Sequence, residues 1–258
     1  MTIVLPARAK LNLDLAVLRR RDDGYHDIRT TLQAIDLHDL VTLTPAQNTT
    51  FTISGLPVKN TQDNTVLKAL AALEETAKKK LPTAIHLYKR IPAGAGMGGA
   101  SSDAATALRG LAALHHVTVD LHAIATQIGA DVPFFLTGGA AIGEQRGDRL
   151  TPVPTQPVWF AIAWPGFELL TPDVYRAWDK TEQTTIDSPN QLTHAAMSIE
   201  PRLQDFANAL NRTSAMWQMT GSGSAYFCHC ADETSARNIT ADLKSWTAVA
   251  QAIGPWSE

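Results

Sequence analysis

The sequence predicts an α+β fold organised in two domains. Several segments alternate between apolar and polar residues, as half-exposed strands do, and Ala84–Ile91 does so with Ile85 and Leu87 on its apolar face. Strands of a parallel sheet buried on both sides are continuous apolar runs instead, so the pattern disfavours a doubly wound sheet. Three prolines within residues 151–157 mark the best candidate boundary, which gives domains 1–152 and 157–258.

Composition indicates a well-packed protein. The 258 residues are 45% apolar and 18% charged, enough for a substantial core, and the net charge of −3 argues against a nucleic-acid-binding protein. No apolar run reaches the length needed to cross a bilayer, and the N-terminus lacks a basic region followed by an apolar signal core. We therefore expect a cytoplasmic protein without a membrane or nucleic-acid partner.

The chain begins with a predicted strand and hairpin. Residues 8–17 alternate, with Lys10 and Asn12 on the polar face, and spacing alone favours a solvated Lys10. Asp23-Gly24 is a strong hairpin signal. Tyr25 and His26 then begin the return strand, either as ordinary strand residues or as a ring and an imidazole that recognise a nucleotide base.

A glycine-rich stretch, residues 91–103, is the most informative part of the chain. Ser101, Ser102 and Asp103 precede an alanine-rich run that begins at Ala104, so they mark a helix start. A glycine loop that leads into a helix directs unpaired N–H groups and the positive end of the helix dipole at one point. This pattern predicts a nucleotide or polyphosphate site.

Other interpretations of this stretch are weaker. Gly94, Gly96 and Gly99 form a G-x-G-x-x-G with Asp120 about twenty residues further on, but the half-exposed strand before them disfavours a dinucleotide fold. A P-loop would need a lysine followed by serine or threonine. A simple tight turn seldom needs so many glycines.

The remaining elements are shorter. Residues 44–65 are expected to form strands and turns, ending where Asp63-Asn64-Thr65 caps a helix directed toward Lys80. Asp131 precedes Pro133 and, by its surroundings alone, is best explained as a helix cap. Thr171 should cap another helix, with proline in the first turn.

The C-terminal part should form a small α+β domain. Residues 180–200 are polar and are expected to be loop. A second glycine turn lies at residues 219–225. Cys228 and Cys230 flank His229 and are better explained as one face of a strand than as a metal site, which usually has four ligands at wider spacing.

The pattern Pro92-x-x-x-Gly96-x-Gly98-x-x-Ser101-Ser102-Asp103-Ala104 resembles the phosphate-binding motif of the GHMP small-molecule kinases. This resemblance implies an N-terminal domain like domain 2 of ribosomal protein S5, a ferredoxin-like C-terminal domain, and ATP and Mg²⁺ as the cofactors, with Ser102 as a metal ligand. It also implies that ATP is bound by Pro92, Ala93, Gly94, Ala95, Gly96, Met97, Gly98, Gly99, Ala100, Ser101, Ser102 and, by a short local match, Asn64.

A narrower resemblance concerns the substrate. Lys10-Leu11-Asn12-Leu13, residues 20–26 and Gly129-Ala130-Asp131-Val132-Pro133-Phe134-Phe135 resemble the GHMP kinases that phosphorylate the 2-hydroxyl of 4-diphosphocytidyl-2-C-methyl-D-erythritol in the non-mevalonate isoprenoid pathway. The resemblance implies that Asp131 accepts the hydroxyl proton. It also implies that Lys10 orients Asp131 and neutralises phosphoryl charge.

The same resemblance implies a cytosine pocket. Tyr25 and Tyr175 would stack on the base, His26 would recognise its polar edge, and Asn12 and Thr171 would contact the substrate. The partners would then be small molecules, bound by a monomer or homodimer.

The sequence departs from the family pattern at Leu32, Ala100, Asp148 and Gln191. Two alternatives remain open, a GHMP kinase for another alcohol and a non-catalytic nucleotide-binding regulator. The Gly24-Tyr25-His26 hairpin disfavours the first, and the presence of both Lys10 and Asp131 disfavours the second.

Overall fold

The computed structural model describes residues 1–58, 63–181 and 188–256. Within these residues two β-sheets, of six and four strands, are combined with helices, which confirms the predicted α+β class. The elements are, in order, β1 (Ile3–Arg20), β2 (His26–Pro45), β3 (Thr50–Gly55), α1 (Thr65–Ala77), β4 (Thr83–Lys89), α2 (Gly99–Leu114), α3 (Leu121–Ile128), α4 (Phe134–Thr137), β5 (Ala140–Gln145), β6 (Arg149–Val153), β7 (Trp159–Trp164), α5 (Thr171–Trp178), α6 (Leu192–Ile199), α7 (Arg202–Leu210), β8 (Gln218–Met219), β9 (Tyr226–Cys230), α8 (Glu233–Ala241) and β10 (Trp246–Gln251).

The chain divides into two compact units, each built from several segments. The first unit contains residues 1–9, 38–93 and 98–138, and the second contains residues 10–37, 94–97 and 139–258. The boundary expected at residues 151–157 stays a prediction. No helix in the described part of the chain is both long enough and apolar enough to span a bilayer.

In the first unit, β4 pairs with two strands. Its Thr83–Tyr88 segment is antiparallel to residues 40–45 of β2, and β3 lies parallel to it. The alternation predicted for this strand is confirmed, because Ile85 and Leu87 are buried while Tyr88 is exposed. Lys89 lies on the buried apolar side as well, where a charged residue is rare unless it is paired. Helices α1 to α4 complete this unit.

The second unit contains the four-stranded sheet, whose order is β10-β7-β9-β8 with antiparallel neighbours throughout. Helices α5 to α7 connect β7 to β8, and α8 connects β9 to β10. This β-α-β-β-α-β order confirms the predicted ferredoxin-like arrangement. In the same unit residues 28–33 of β2 pair with β5, and β5 pairs with β6.

The loop predicted for residues 180–200 is wrong for its second half, where α6 forms. Leu192, Ala195 and Ala196 are buried at helical spacing in the core of the second unit, and this short apolar stripe is obscured by polar neighbours. Residues 182–187 of the predicted loop lie outside the described residues. The strand predicted for the two cysteines is confirmed as β9, with both thiols buried and His229 exposed.

Candidate active site

The start of α2 provides backbone N–H groups for an anion. The helix begins at Gly99 and not at Ala104, so the two serines lie in its first turn and do not precede it. Gly98 occupies the N-cap with a φ of 69° and has no side chain with which to cap. The first intrahelical bond runs from the Ser102 amide to the Gly98 carbonyl at 2.9 Å, so the preceding amides have no acceptor within the helix. This uncapped start is suited to phosphate oxygens.

Close packing supports that helix start. A Cβ atom on Gly99 would lie 3.0 Å from Cγ2 of Ile91, so the first residue of the helix packs closely against the segment that follows β4. Pro92 is buried and Ala93 half-buried, whereas Ala100 is exposed and its carbonyl accepts a hydrogen bond from the Thr65 hydroxyl at 2.7 Å. The Ser102 side chain is buried in the same turn.

Three buried charged residues connect β4 to α2. The ammonium of Lys89 lies 2.6 Å from Asp103 and also pairs with Asp39. All three residues are at most 5% exposed. Asp39 further accepts the backbone N–H groups of Arg90 and Ile91. This triad was not predicted, although Lys89 stands on an apolar strand face, which is a signal of a paired buried cation.

The triad shifts the ionisation of its members. Burial raises the pKa of Asp103 to about 7, because the attraction of Lys89 offsets only part of the lost hydration and Asp39 repels a second negative charge. Burial lowers the pKa of Lys89, but the two carboxylates outweigh it and the net shift is upward. Among the described residues, Oδ1 of Asp103 has no hydrogen-bond partner. Asp103 therefore holds a proton more readily than an ordinary aspartate does.

In the second unit, residues 94–97 pack against a second glycine turn. The carbonyl of Gly94 accepts the Leu169 amide at 3.2 Å, and the carbonyl of Ala95 accepts the Ala225 amide at 3.1 Å. Gly96 has a φ of 77°, and a Cβ atom there would lie only 2.2 Å from the Thr220 carbonyl oxygen. Glycine is thus required at 96 both for its backbone angle and for space.

Lys10 and Asn12 are buried in the same unit, at 4% exposure each, so the solvated Lys10 expected from spacing is wrong. The Lys10 ammonium donates to the Gly96 carbonyl at 2.9 Å and to the Asn12 side chain, and its amide donates to the Met97 carbonyl. Lys10 is buried because both faces of β1 are covered at this point. Its partners on the polar face, such as Gly96, belong to distant segments of the chain, which spacing within β1 cannot reveal. Lys10 therefore fixes the backbone of residues 96 and 97.

Asn12 extends this network. Its side-chain amide donates to the Thr30 hydroxyl at 2.7 Å, and its backbone amide donates to the Thr220 hydroxyl at 2.9 Å. Asn12 thereby joins β1, β2 and the second glycine turn. Its predicted contact with substrate stays a prediction.

Asp131, in the first unit, is half-buried in the turn before α4. Pro133 occupies the N-cap of that helix, so the capping role that its surroundings favoured is wrong. The cap predicted at residues 63–65 is confirmed, and Asn64 is the residue that forms it, by accepting the Val66 amide at 2.9 Å. The role expected for Asn64 near adenine stays a prediction.

The predicted base-binding residues lie in the second unit. The rings of His26 and Tyr175 are stacked, with centroids 4.8 Å apart and planes inclined by 24°. Nε2 of His26 lies 2.7 Å from the carboxylate of Asp179, a residue that the sequence analysis did not single out. Tyr25 is 56% exposed, and the Arg146 guanidinium lies 5.3 Å from its ring centroid. The exposed Tyr25 ring, which precedes the stacked His26 in the chain, is suited to binding a flat ligand.

Thr171 is the first residue of α5, and Leu170 occupies the N-cap, so the predicted threonine cap is wrong. The Thr171 hydroxyl instead bonds to the Ser222 hydroxyl at 2.8 Å, which connects α5 to the second glycine turn. Its predicted substrate contact stays a prediction.

The departures from the family pattern occupy ordinary structural positions. Leu32 is buried, and the carboxylate of Asp148 accepts from Arg146 at 2.6 Å. The Gln191 side chain accepts the Val17 amide at 2.8 Å. Among the described residues, no group of three or more histidine, cysteine or acidic side chains is placed to hold a metal ion.

The family model that matches this chain and the relatives described below all indicate a GHMP kinase. The family model described as "GHMP kinases N terminal domain" matches residues 64–139. The chain is 35% identical to 4-diphosphocytidyl-2-C-methyl-D-erythritol kinase of Thermus thermophilus, over 93% of this chain and 92% of that protein. It is 37% identical to the protein of the same name from Salinibacter ruber, over 95% of each chain.

A solved structure is similar over nearly the whole length. The crystal structure of a 4-(cytidine 5'-diphospho)-2C-methyl-D-erythritol kinase superposes with a TM-score of 0.81 at 33% identity, covering 98% of this chain and 99% of that one.

Proposed function

This chain belongs to the 4-diphosphocytidyl-2-C-methyl-D-erythritol kinase family of GHMP kinases, and on that premise we propose that it transfers the γ-phosphoryl group of ATP to the 2-hydroxyl of that substrate. The observation that carries the proposal is the uncapped, glycine-led start of α2, which is formed by the residues that resemble the family's phosphate-binding motif. Phosphoryl transfer needs mainly positioning and charge stabilisation from a protein, and amides at a helix N-terminus supply both.

The ATP phosphates are proposed to bind the amides of residues 94–102. Mg²⁺ is proposed to arrive with the nucleotide, because this ion keeps several waters and needs only one or two protein ligands besides phosphate oxygens. The Ser102 hydroxyl, buried in the first turn of α2, is a chemically suitable ligand of that kind. When bound, the ion would neutralise phosphate charge.

Asp131 is proposed as the general base. The substrate oxygen attacks the γ-phosphorus, the carboxylate takes the proton of that hydroxyl, and ADP leaves with the electrons of the broken P–O bond. We assign to Lys10 the positive charge that offsets the negative charge on the transferred phosphoryl oxygens. Its fixed position on the Gly96 carbonyl supports this role, since a preorganised charge needs no rearrangement during reaction.

The cytidine end of the substrate is proposed to bind in the second unit, with Tyr25 and Tyr175 stacking on the base and His26 recognising its polar edge. The exposed Tyr25 ring and the buried, stacked His26 support this assignment. Asn12 and Thr171 are proposed as further substrate contacts. We also propose that the enzyme works in the cytoplasm, in the non-mevalonate isoprenoid pathway, which agrees with its ATP substrate and its two free cysteines.

The test is ATP consumption by the purified chain with Mg²⁺, offering 4-diphosphocytidyl-2-C-methyl-D-erythritol, homoserine, galactose or mevalonate. We expect turnover with the cytidine compound alone, and a product phosphorylated at the 2-hydroxyl by ³¹P NMR. Turnover with another alcohol would retain the phosphate site and overturn the substrate assignment. ATP binding without any turnover would favour a nucleotide-binding regulator.

A further inference from the structure

His26 is held by a carboxylate at the end of a neighbouring helix. Asp179 occupies the C-cap of α5, one turn beyond Tyr175, and its Oδ1 lies 2.7 Å from Nε2 of His26. Its other oxygen lies 3.5 Å from Nε of Arg20. The His26 side chain is only 5% exposed, against 22% for Asp179. The imidazole is therefore held by the carboxylate on one edge and by the Tyr175 ring on one face.

This contact determines which ring nitrogen carries the proton. An ionised carboxylate can only accept hydrogen bonds, so Nε2 of His26 must be the protonated nitrogen. In the neutral imidazole, Nδ1 is then left with a lone pair. The bond to Asp179 occupies Nε2, which leaves the lone pair of Nδ1 for a ligand.

A lone pair at Nδ1 distinguishes two pyrimidines. Cytosine has an exocyclic amino group at position 4, which is a donor, whereas uracil has a carbonyl oxygen there, which is an acceptor, as in thymine. The amino group can donate to Nδ1, but the carbonyl would bring two acceptors together. The opposite tautomer, with the proton on Nδ1, would reverse this preference.

We propose that Asp179 is a positioning residue that fixes the Nε2–H tautomer of His26 and thereby makes the substrate site select a 4-amino pyrimidine over a 4-oxo pyrimidine. The inference rests on the proposed function, in which His26 recognises the edge of the base. It adds a residue and a reason for base selectivity. Asp179 acts through His26 and does not itself need to touch the substrate.

The test compares kcat/KM for the diphosphocytidyl substrate and for its diphosphouridyl analogue. In the wild-type protein we expect a preference for cytidine. Asp179→Asn should reduce that preference by about 3- to 10-fold, the effect of one neutral hydrogen bond, because an amide can either accept from or donate to Nε2. The KM for ATP should not change.

Asp173→Asn is the matched control. Asp173 is a half-exposed acid on the same helix that pairs with Arg176, so its loss should leave the preference unchanged. A second readout is the ¹⁵N NMR spectrum of the His26 ring, which should show one tautomer in the wild-type protein and a mixture in Asp179→Asn. This spectrum needs no substrate and therefore does not depend on the proposed function.

The outcomes separate the two proposals. If the wild-type protein turns over the cytidine substrate but Asp179→Asn loses rate equally on both pyrimidines, or keeps the full preference, the positioning role is overturned and the proposed function stands. If the wild-type ring is not the Nε2–H tautomer, the positioning role is likewise overturned. If neither pyrimidine substrate is turned over, the proposed function fails and the inference fails with it.

Discussion

The ammonium of Lys89 and the carboxylate of Asp103 form an ion pair of 2.6 Å that is almost wholly removed from water. Because Asp39 shares the same ammonium, one positive charge faces two negative ones at the point where β4 leads to the first turn of α2. A buried group that lacks a full partner is costly. The triad therefore makes the start of α2, where we propose that phosphate binds, sensitive to the ionisation of Asp103.

We expect Asp103→Asn to change how stability depends on pH. The pKa of Asp103 is about 7 in the folded protein and 3.8 for an ordinary carboxyl, so the folded state binds a proton that the unfolded chain releases between these values. Stability should then fall as pH rises from about 4 to about 7. Asparagine can still accept from Lys89 but cannot ionise.

The stability of Asp103→Asn should therefore not fall over this pH range. Between about pH 4 and about pH 7, the free energies of unfolding of the variant and the wild-type protein should come to differ by on the order of 1–4 kcal/mol. Urea unfolding at a series of pH values measures it. Asp205→Asn, at an exposed position of α7, is the control and should follow the wild-type curve. Parallel curves for wild-type protein and Asp103→Asn would contradict a raised pKa.

Asp131→Asn should lower kcat by about 10²- to 10⁴-fold, the usual contribution of a general base. The substitution preserves shape, so the KM for ATP and the melting temperature should change little. Steady-state kinetics and calorimetric ATP titration measure the two effects. Equal losses of ATP affinity and turnover would instead assign Asp131 a structural role.

Gly96→Ala should abolish ATP binding and reduce stability, because the added Cβ would lie 2.2 Å from the Thr220 carbonyl oxygen. Gly166→Ala is a matched control, since Gly166 has a similar positive φ of 88° with nothing within 4 Å of the added atom. In the control, only the strain of alanine at a positive φ should lower the free energy of unfolding, by about 1–2 kcal/mol. Thermal unfolding and ATP titration measure stability and ATP affinity in both variants. If the two variants lose the same amounts, the contact between the added Cβ atom and the Thr220 carbonyl does not matter.

Tyr25→Ala should raise the KM for the cytidine substrate by about 5- to 150-fold, equivalent to about 1–3 kcal/mol for one base–aromatic stack, and leave the KM for ATP unchanged. Tyr25 is exposed, so its removal should not affect folding. Tyr88→Ala, at another exposed tyrosine, should change neither constant. If Tyr25→Ala raises both KM values alike, Tyr25 does not recognise the base.

Local patterns predicted much of the fold. The Asp23-Gly24 hairpin is confirmed, with Gly24 at a φ of 84°, and so are the Asn64 cap and the strand around Cys228. Each depends on residues only a few positions apart, whose turn, cap and strand preferences act within the segment itself. The ferredoxin-like arrangement was expected from the family resemblance, because strand order is not contained in any single segment.

Long-range partners could not be predicted in the same way. Alternation in β1 assigned Lys10 to a polar face that was expected to contact solvent. Its ammonium instead donates to the Gly96 carbonyl, which lies far along the chain. Likewise the partners of Lys89 are separated from it by 50 and 14 residues. The position of Lys89 on an apolar face is a signal that was not used, and only the folded structure identifies its counterions. Asp179 gave no local signal.

The two buried thiols of β9 provide natural sites at which modification by a reagent can report on the second unit. Burial raises the pKa of Cys228 to about 12, with a smaller effect from Cys230, whose sulfur lies 4.0 Å away, so Cys228 rarely forms a thiolate while the strand stays in place. The sequence contains no third cysteine. An electrophilic dye added to the native enzyme would react only when the strand detaches from its sheet, and its rate of incorporation would time the opening of that sheet without any engineered probe.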